Sequence, residues 1–142
     1  MFVFICLLLA CVFAVLSGLH IYWLLGGTWG VKQVIPVRDS QAELPKIPPI
    51  ATLVVALGLG FVGLLYLVKG QFLSLSLPHW MFIGFSWGVP LIFLLRAVGD
   101  FQYVGFFKKI KDTAFAKADS KYFSPLCLAI GVMGLALQLL FV

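Results

Sequence analysis

The sequence predicts an all-α, polytopic membrane protein: a single domain, residues 1–142, built as a bundle of four transmembrane helices. Three observations lead there. First, 63% of the residues are hydrophobic and only 11% are charged, with a mean hydropathy of +1.12. A soluble domain is nearer half apolar and about a quarter charged, so this excess has to be solvated by lipid rather than buried in one small core. Second, the apolar residues gather in four stretches, about 2–25, 49–68, 79–98 and 124–142, each close to the length a helix needs to cross a bilayer. Third, the charged residues fall between those stretches. The net charge of +5 therefore reads as the cytoplasmic Lys/Arg bias of a membrane protein, and nucleic acid is not an expected partner.

Span one, 2–25, is apolar except for Ser17, His20 and Tyr22. Leu8-Leu9-Ala10-Cys11 approximates a lipoprotein cleavage box. However, no Lys or Arg precedes it and the apolar run continues to Leu25, so a retained span is expected. Ala10, Ala14 and Ser17 share one small face that permits close helix approach, and His20 continues that face. Loop one, 26–48, holds Gly26, Gly27 and Gly30, then Pro36, Pro45 and Pro48. It exceeds the usual 2–8 residues of a helix connection, a sign of a functional loop or one that folds back on the protein.

Span two, 49–68, begins at Pro48-Pro49, which suits a first helical turn. Ala56, Gly60 and Gly63 form its small stripe, and Lys69 ends it. Loop two, 70–78, is short and uncharged. Span three, 79–98, contains Gly84-x-x-x-Gly88, a close-packing motif, and Pro90, which should kink the helix. Loop three, 99–123, interleaves Lys108, Lys109, Lys111, Lys117 and Lys121 with aromatics, with Asp112 as cap of a short interfacial helix. Span four, 124–142, should start at Ser124 as N-cap with Pro125 at N1.

Four spans place loops one and three on one side, and their lysines and arginines make that side cytoplasmic. The expected location is the cell membrane, multi-pass, with both termini outside. The expected partners are the bilayer and, through Lys108, Lys109 and Lys111, anionic lipid headgroups. The arrangement is compatible with a small-molecule ligand and with a homo-oligomer. Cys6, Cys11 and Cys127 form no C-x-x-C pair and read as small apolar fillers.

The candidate ligand-binding residues are His20, Trp23, Trp29, Arg96 and Asp100, with Gly26, Gly27 and Gly30 shaping a tight turn. Counting along each span, His20 and Arg96 fall roughly 10 Å from the midplane on the cytoplasmic side. Arg96 and Asp100 stand at i, i+4, a spacing that allows an ion pair, with His20 expected to face them. No second His or Cys shares the layer of His20, so no metal and no cofactor is expected. His79 beside Trp80 reads as interfacial.

One resemblance covers nearly the whole chain. His20-x-Tyr22-Trp23-x-x-Gly26-Gly27-x-Trp29-Gly30, then Pro36, then Leu95-Arg96-Ala97-Val98-Gly99-Asp100-Phe101, Gly105-Phe106-Phe107-Lys108 and Tyr122-x-Ser124-Pro125-Leu126 resemble a bacterial membrane family, domain-of-unknown-function family 3995. It implies a short four-span integral membrane protein in which His20, Trp23, Arg96 and Asp100 belong to one signature. It implies no activity. Three functions are then weighed: binding or transport of a small polar or anionic ligand in a cytoplasm-facing pocket; a structural or partner-binding membrane protein; and an intramembrane enzyme with His20 as acid/base and Asp100 orienting it.

Overall fold

The computed structural model describes residues 1–141. The described residues are all-helical, with no strand among them. Four helices are long and apolar enough to cross a membrane: Phe2–Leu24, Pro49–Lys69, His79–Val98 and Ala114–Leu140. Numbered in chain order, α1 is Phe2–Leu24, α2 Val31–Val34, α3 Pro49–Lys69, α4 His79–Val98, α5 Ala114–Ala118 and α6 Ser124–Leu140. A π-helical turn, Asp119–Phe123, joins α5 to α6.

Two compact units divide the described chain. The first holds residues 1–28, 47–86 and 136 onward; the second holds 29–46 and 87–135. In the first unit the two small stripes expected on α1 and α3 meet. Ser17 Oγ donates to the Ala56 carbonyl at 2.7 Å. A Cβ on Gly60 would come 3.2 Å from Ser17 Oγ, and one on Gly63 would come 3.3 Å from Phe13 Cβ and 3.4 Å from the Ala10 carbonyl. Small residues let the backbones approach where lipid supplies no hydrophobic drive between helices. Phe13 stacks on Tyr66 with ring centroids 5.7 Å apart, and Tyr66 meets the Phe85 ring edge-on at 5.0 Å.

Both long helices of that pair end in the same way. Past α1, Gly26 adopts φ +94°, the Gly27 amide donates to the Tyr22 carbonyl and the Gly26 amide to the Trp23 carbonyl. This left-handed reversal satisfies carbonyls that the helix end leaves open. A Cβ on Gly27 would lie 2.3 Å from the Tyr22 ring, so any larger residue there has to displace that ring. Past α3 the left-handed residue is Gln71, φ +64°.

In the second unit, α2 starts at Gly30, φ +76°, and packs on α5. Loop one thus folds back, with Ile35 buried. Gly131 lets α6 approach α4 closely: its Cβ would lie 2.5 Å from Leu94 Cγ and 3.1 Å from the Pro90 carbonyl.

Three local expectations need correction. Gly84 and Gly88 pack against no other helix among the described residues, since a Cβ on either would meet none of their atoms within 4 Å. The cap of the short helix is Thr113, whose Oγ1 accepts the Ala116 amide at 3.1 Å, and not Asp112. Ser124 is the first residue of α6 but not an N-cap: its dihedrals are helical, φ −66° and ψ −44°, and the helical run into α6 already begins at Ala114. Pro125 signalled a first turn because proline inside a regular helix removes a hydrogen bond and clashes with the carbonyl four residues back. Here the preceding turn is widened, and the Ser124 amide reaches the Asp119 carbonyl five residues back. That register carries the chain into Pro125 without ending the helix.

Candidate polar site around Asp119

The π turn aims Asp119 inward, where it is 0% exposed. Four donors converge on its carboxylate. Arg96 Nη2 donates to Oδ1 at 2.7 Å. Lys108 Nζ and the Gly105 amide donate to Oδ2, each at 2.9 Å, and Ser124 Oγ donates to Oδ2 at 3.0 Å. Lys108 is 3% exposed, and its ammonium also donates to the Gly105 carbonyl at 2.9 Å and to Ser120 Oγ at 2.7 Å. All three of its protons are therefore placed. A buried carboxylate is tolerated only when paired and hydrogen-bonded in this way.

The loop after α4 is shaped to deliver the Gly105 amide. Gly99 and Gly105 both have positive φ, +90° and +89°. A Cβ on Gly99 would lie 1.8 Å from the Val104 carbonyl oxygen, and one on Gly105 would lie 2.3 Å from that of Val98. Only glycine fits at either position. Asp100 ties the loop together, since its Oδ1 accepts the amides of Gln102, Tyr103 and Val104 at 2.9, 2.7 and 2.9 Å. The Val104 amide above all, with those of Gln102 and Tyr103, holds the Asp100 carboxyl below the usual carboxylate range.

The structure places the expected site residues as follows. Arg96 is in the last turn of α4, as expected, but its ion-pair partner is Asp119 rather than Asp100. The i, i+4 pairing needed the helix to continue past Val98, whereas the chain turns at Gly99. Lys108 is not a lipid-surface residue: its ammonium is spent on Asp119, Gly105 and Ser120, while Lys109 and Lys111 are exposed. His20, Trp23, Gly26 and Gly27 belong to the first unit, and Trp29, Gly30, Arg96, Asp100, Lys108, Lys109 and Lys111 to the second. His20 Nδ1 is 2.8 Å from the Leu16 carbonyl of its own helix, and its ring meets Trp23 edge-on at 5.2 Å. Trp29 is 72% exposed. Among the described residues, no three His, Cys, Asp or Glu side chains gather as a metal site.

Asp119 and Ser120 are not singled out by the sequence, and Ser124 only as a helix cap and within the family resemblance. The available signal was an acid in a stretch that is apolar and helical once Pro125 is admitted inside the helix.

The site carries two cations against one buried anion, a surplus of one positive charge. One donor is left over. Arg96 Nη1 is buried and has no hydrogen-bond partner among the described residues, although the side chain as a whole is 31% exposed. The unmet donor and the surplus positive charge of the cluster thus coincide at Arg96.

No curated protein and no solved structure matches the chain. The model of one family, described as a protein of unknown function (DUF3995), matches residues 13–134, which include Ala14 and Ser17 of the α1 stripe, the α3 stripe, the Arg96–Asp119 pair and the loop between them. The chain belongs to that family, as the resemblance around His20 and Arg96 implied.

Proposed function

We propose that this membrane protein binds a small anionic or polar group at Arg96, on the cytoplasmic side. The observation that carries the reading is the unpartnered Arg96 Nη1 in a cluster with one surplus positive charge. An unmet buried guanidinium donor is costly, and an incoming oxygen removes that cost. The other residues prepare Arg96: Asp119 fixes its orientation through Nη2, and Lys108 with the Gly105 amide fixes Asp119.

The cytoplasmic assignment rests on charge. All five acidic side chains and nine of the ten Lys/Arg side chains lie in the second unit, which includes loops one and three. Lysines near a membrane favour the cytoplasmic face. Exposed Lys109 and Lys111, beside exposed Phe101, Phe106 and Phe107, suit an anionic lipid surface.

A structural reading has its own support, since Asp119 is fully satisfied by groups from three segments and would lock the helices with no ligand at all. One experiment separates the two. Purified protein in a neutral detergent is melted with increasing sulfate or acetate, beside Arg96→Lys, which keeps a cation for Asp119 but lacks the second guanidinium nitrogen. Ligand binding is supported by a rise in melting temperature with anion that is absent in Arg96→Lys. No anion response in the wild type, or the same response in both proteins, leaves the structural reading.

A further inference from the structure

The first unit contains a single Lys, Arg, Asp or Glu side chain, Lys69. It is the last residue of α3. A lysine there ordinarily extends its ammonium outward to the headgroups. This one turns inward. Nζ donates to Ser86 Oγ of α4 at 3.0 Å and to Gln138 Oε1 of α6, and lies 5.4 Å from the centre of the Phe82 ring. Ser86 and Gln138 are 5% and 8% exposed. Two buried polar side chains, one from each of two spans, are thus committed to one amine.

Both acceptors are neutral, so among the described residues of the unit the positive charge has no counter-charge. An ammonium has three N–H donors, and among the described residues two have polar acceptors. Lys69 is itself only partly covered. An uncompensated cation at the edge of an apolar unit, held in place and with one donor open, calls for an anionic oxygen. At the depth of a span's last residue, the group that offers one is a phosphate.

We infer that Lys69 binds one phosphate group, taken from a phospholipid headgroup or from free phosphate, with Ser86 and Gln138 holding the amine in position. This site is independent of the Arg96 reading, and its test observes a different nitrogen.

The test uses the full chain labelled with 15N-lysine in phosphatidylglycerol–phosphatidylcholine nanodiscs. It measures 31P-induced dephasing of each lysine Nζ signal, with Lys69 assigned from Lys69→Arg. The expected result is clear dephasing at Lys69. A second sample in phosphate-free glycolipid, with inorganic phosphate added, distinguishes the sources: dephasing kept there assigns free phosphate, and dephasing lost there assigns the headgroup. Gln138→Glu places a carboxylate against the amine, and the expected effect is a severalfold loss of dephasing. It also serves should Lys69→Arg fail to fold, because the signal it alters is that of Lys69. No dephasing at Lys69 in either sample, or undiminished dephasing in Gln138→Glu, overturns the inference.

Discussion

Asp119 Oδ1 lies 2.7 Å from Arg96 Nη2, across 23 positions of sequence, and the pair joins the end of α4 to the π turn that leads into α6. Because Asp119 is fully buried and also holds Lys108, it has more to lose than either cation. Asp119→Asn leaves two cations without their counter-charge. Breaking a buried pair this way costs about 3–5 kcal/mol, whereas replacing the whole set by apolar residues is often close to neutral. In nanodiscs, Asp119→Asn is expected to melt well below Arg96→Met/Lys108→Met/Asp119→Leu. The reverse order would show that the cluster contributes little to holding the helices.

Asp100 gives the loop after α4 a defined pH response. Its carboxyl sits below the usual carboxylate range because the amides of Val104, Gln102 and Tyr103 donate to the charged form. A folded-state value below the unfolded value of ~3.9 contributes stability that is present above that value and disappears as pH falls through the folded value. Amide hydrogen exchange at Gln102, Tyr103 and Val104 is therefore expected to lose protection only in strong acid. In Asp100→Ala the protection is expected to be low already at neutral pH. Equal protection in both proteins would mean the loop is held by its glycines and by Asp119 alone.

The two kinds of small-residue stripe should respond differently to added bulk. Gly63→Val pushes a side chain against Phe13 and the Ala10 backbone, where even a Cβ is tight. Overpacking of this kind costs about 1–3 kcal/mol. Gly84→Val and Gly88→Val enter open space and are expected to change stability by less than about 0.5 kcal/mol, apart from propensity. A melting series in one lipid composition checks the contrast. A large loss in Gly84→Val would mean that face is covered in the membrane.

The proposed orientation rests on the charge distribution and is checked by labelling. In intact cells, a cysteine introduced at Ser74, between α3 and α4, should react with a membrane-impermeant thiol reagent. One introduced at Lys111 should not. The opposite pattern would place both termini inside.

The sequence by itself determined four apolar helical spans, the family, and the close-packing faces formed by Ala10, Ala14 and Ser17 and by Gly60 and Gly63; that these two faces meet came from the structure. Those features are local or periodic. Hydropathy over about 20 residues sets a span, and small residues repeating every three or four positions mark a close-packing face wherever the partner helix lies. The same local rules misled where long-range contact decides. Asp100 was the nearest acid to Arg96, yet Gly99 ends the helix and turns Asp100 onto the amides of its own loop. Lys108 looked like its basic neighbours until the tertiary structure buried it on Asp119. Pro125 marked a helix start by local rules, and only the widened turn around Asp119 keeps the helix unbroken. Gly84 and Gly88 carry the small-residue signal of Gly60 and Gly63, and only the arrangement of the helices leaves one pair open and the other filled. The physical reason is common to all four. A charge, a proline or a glycine states what it needs from its surroundings, and which groups meet that need depends on how the chain turns and packs around it.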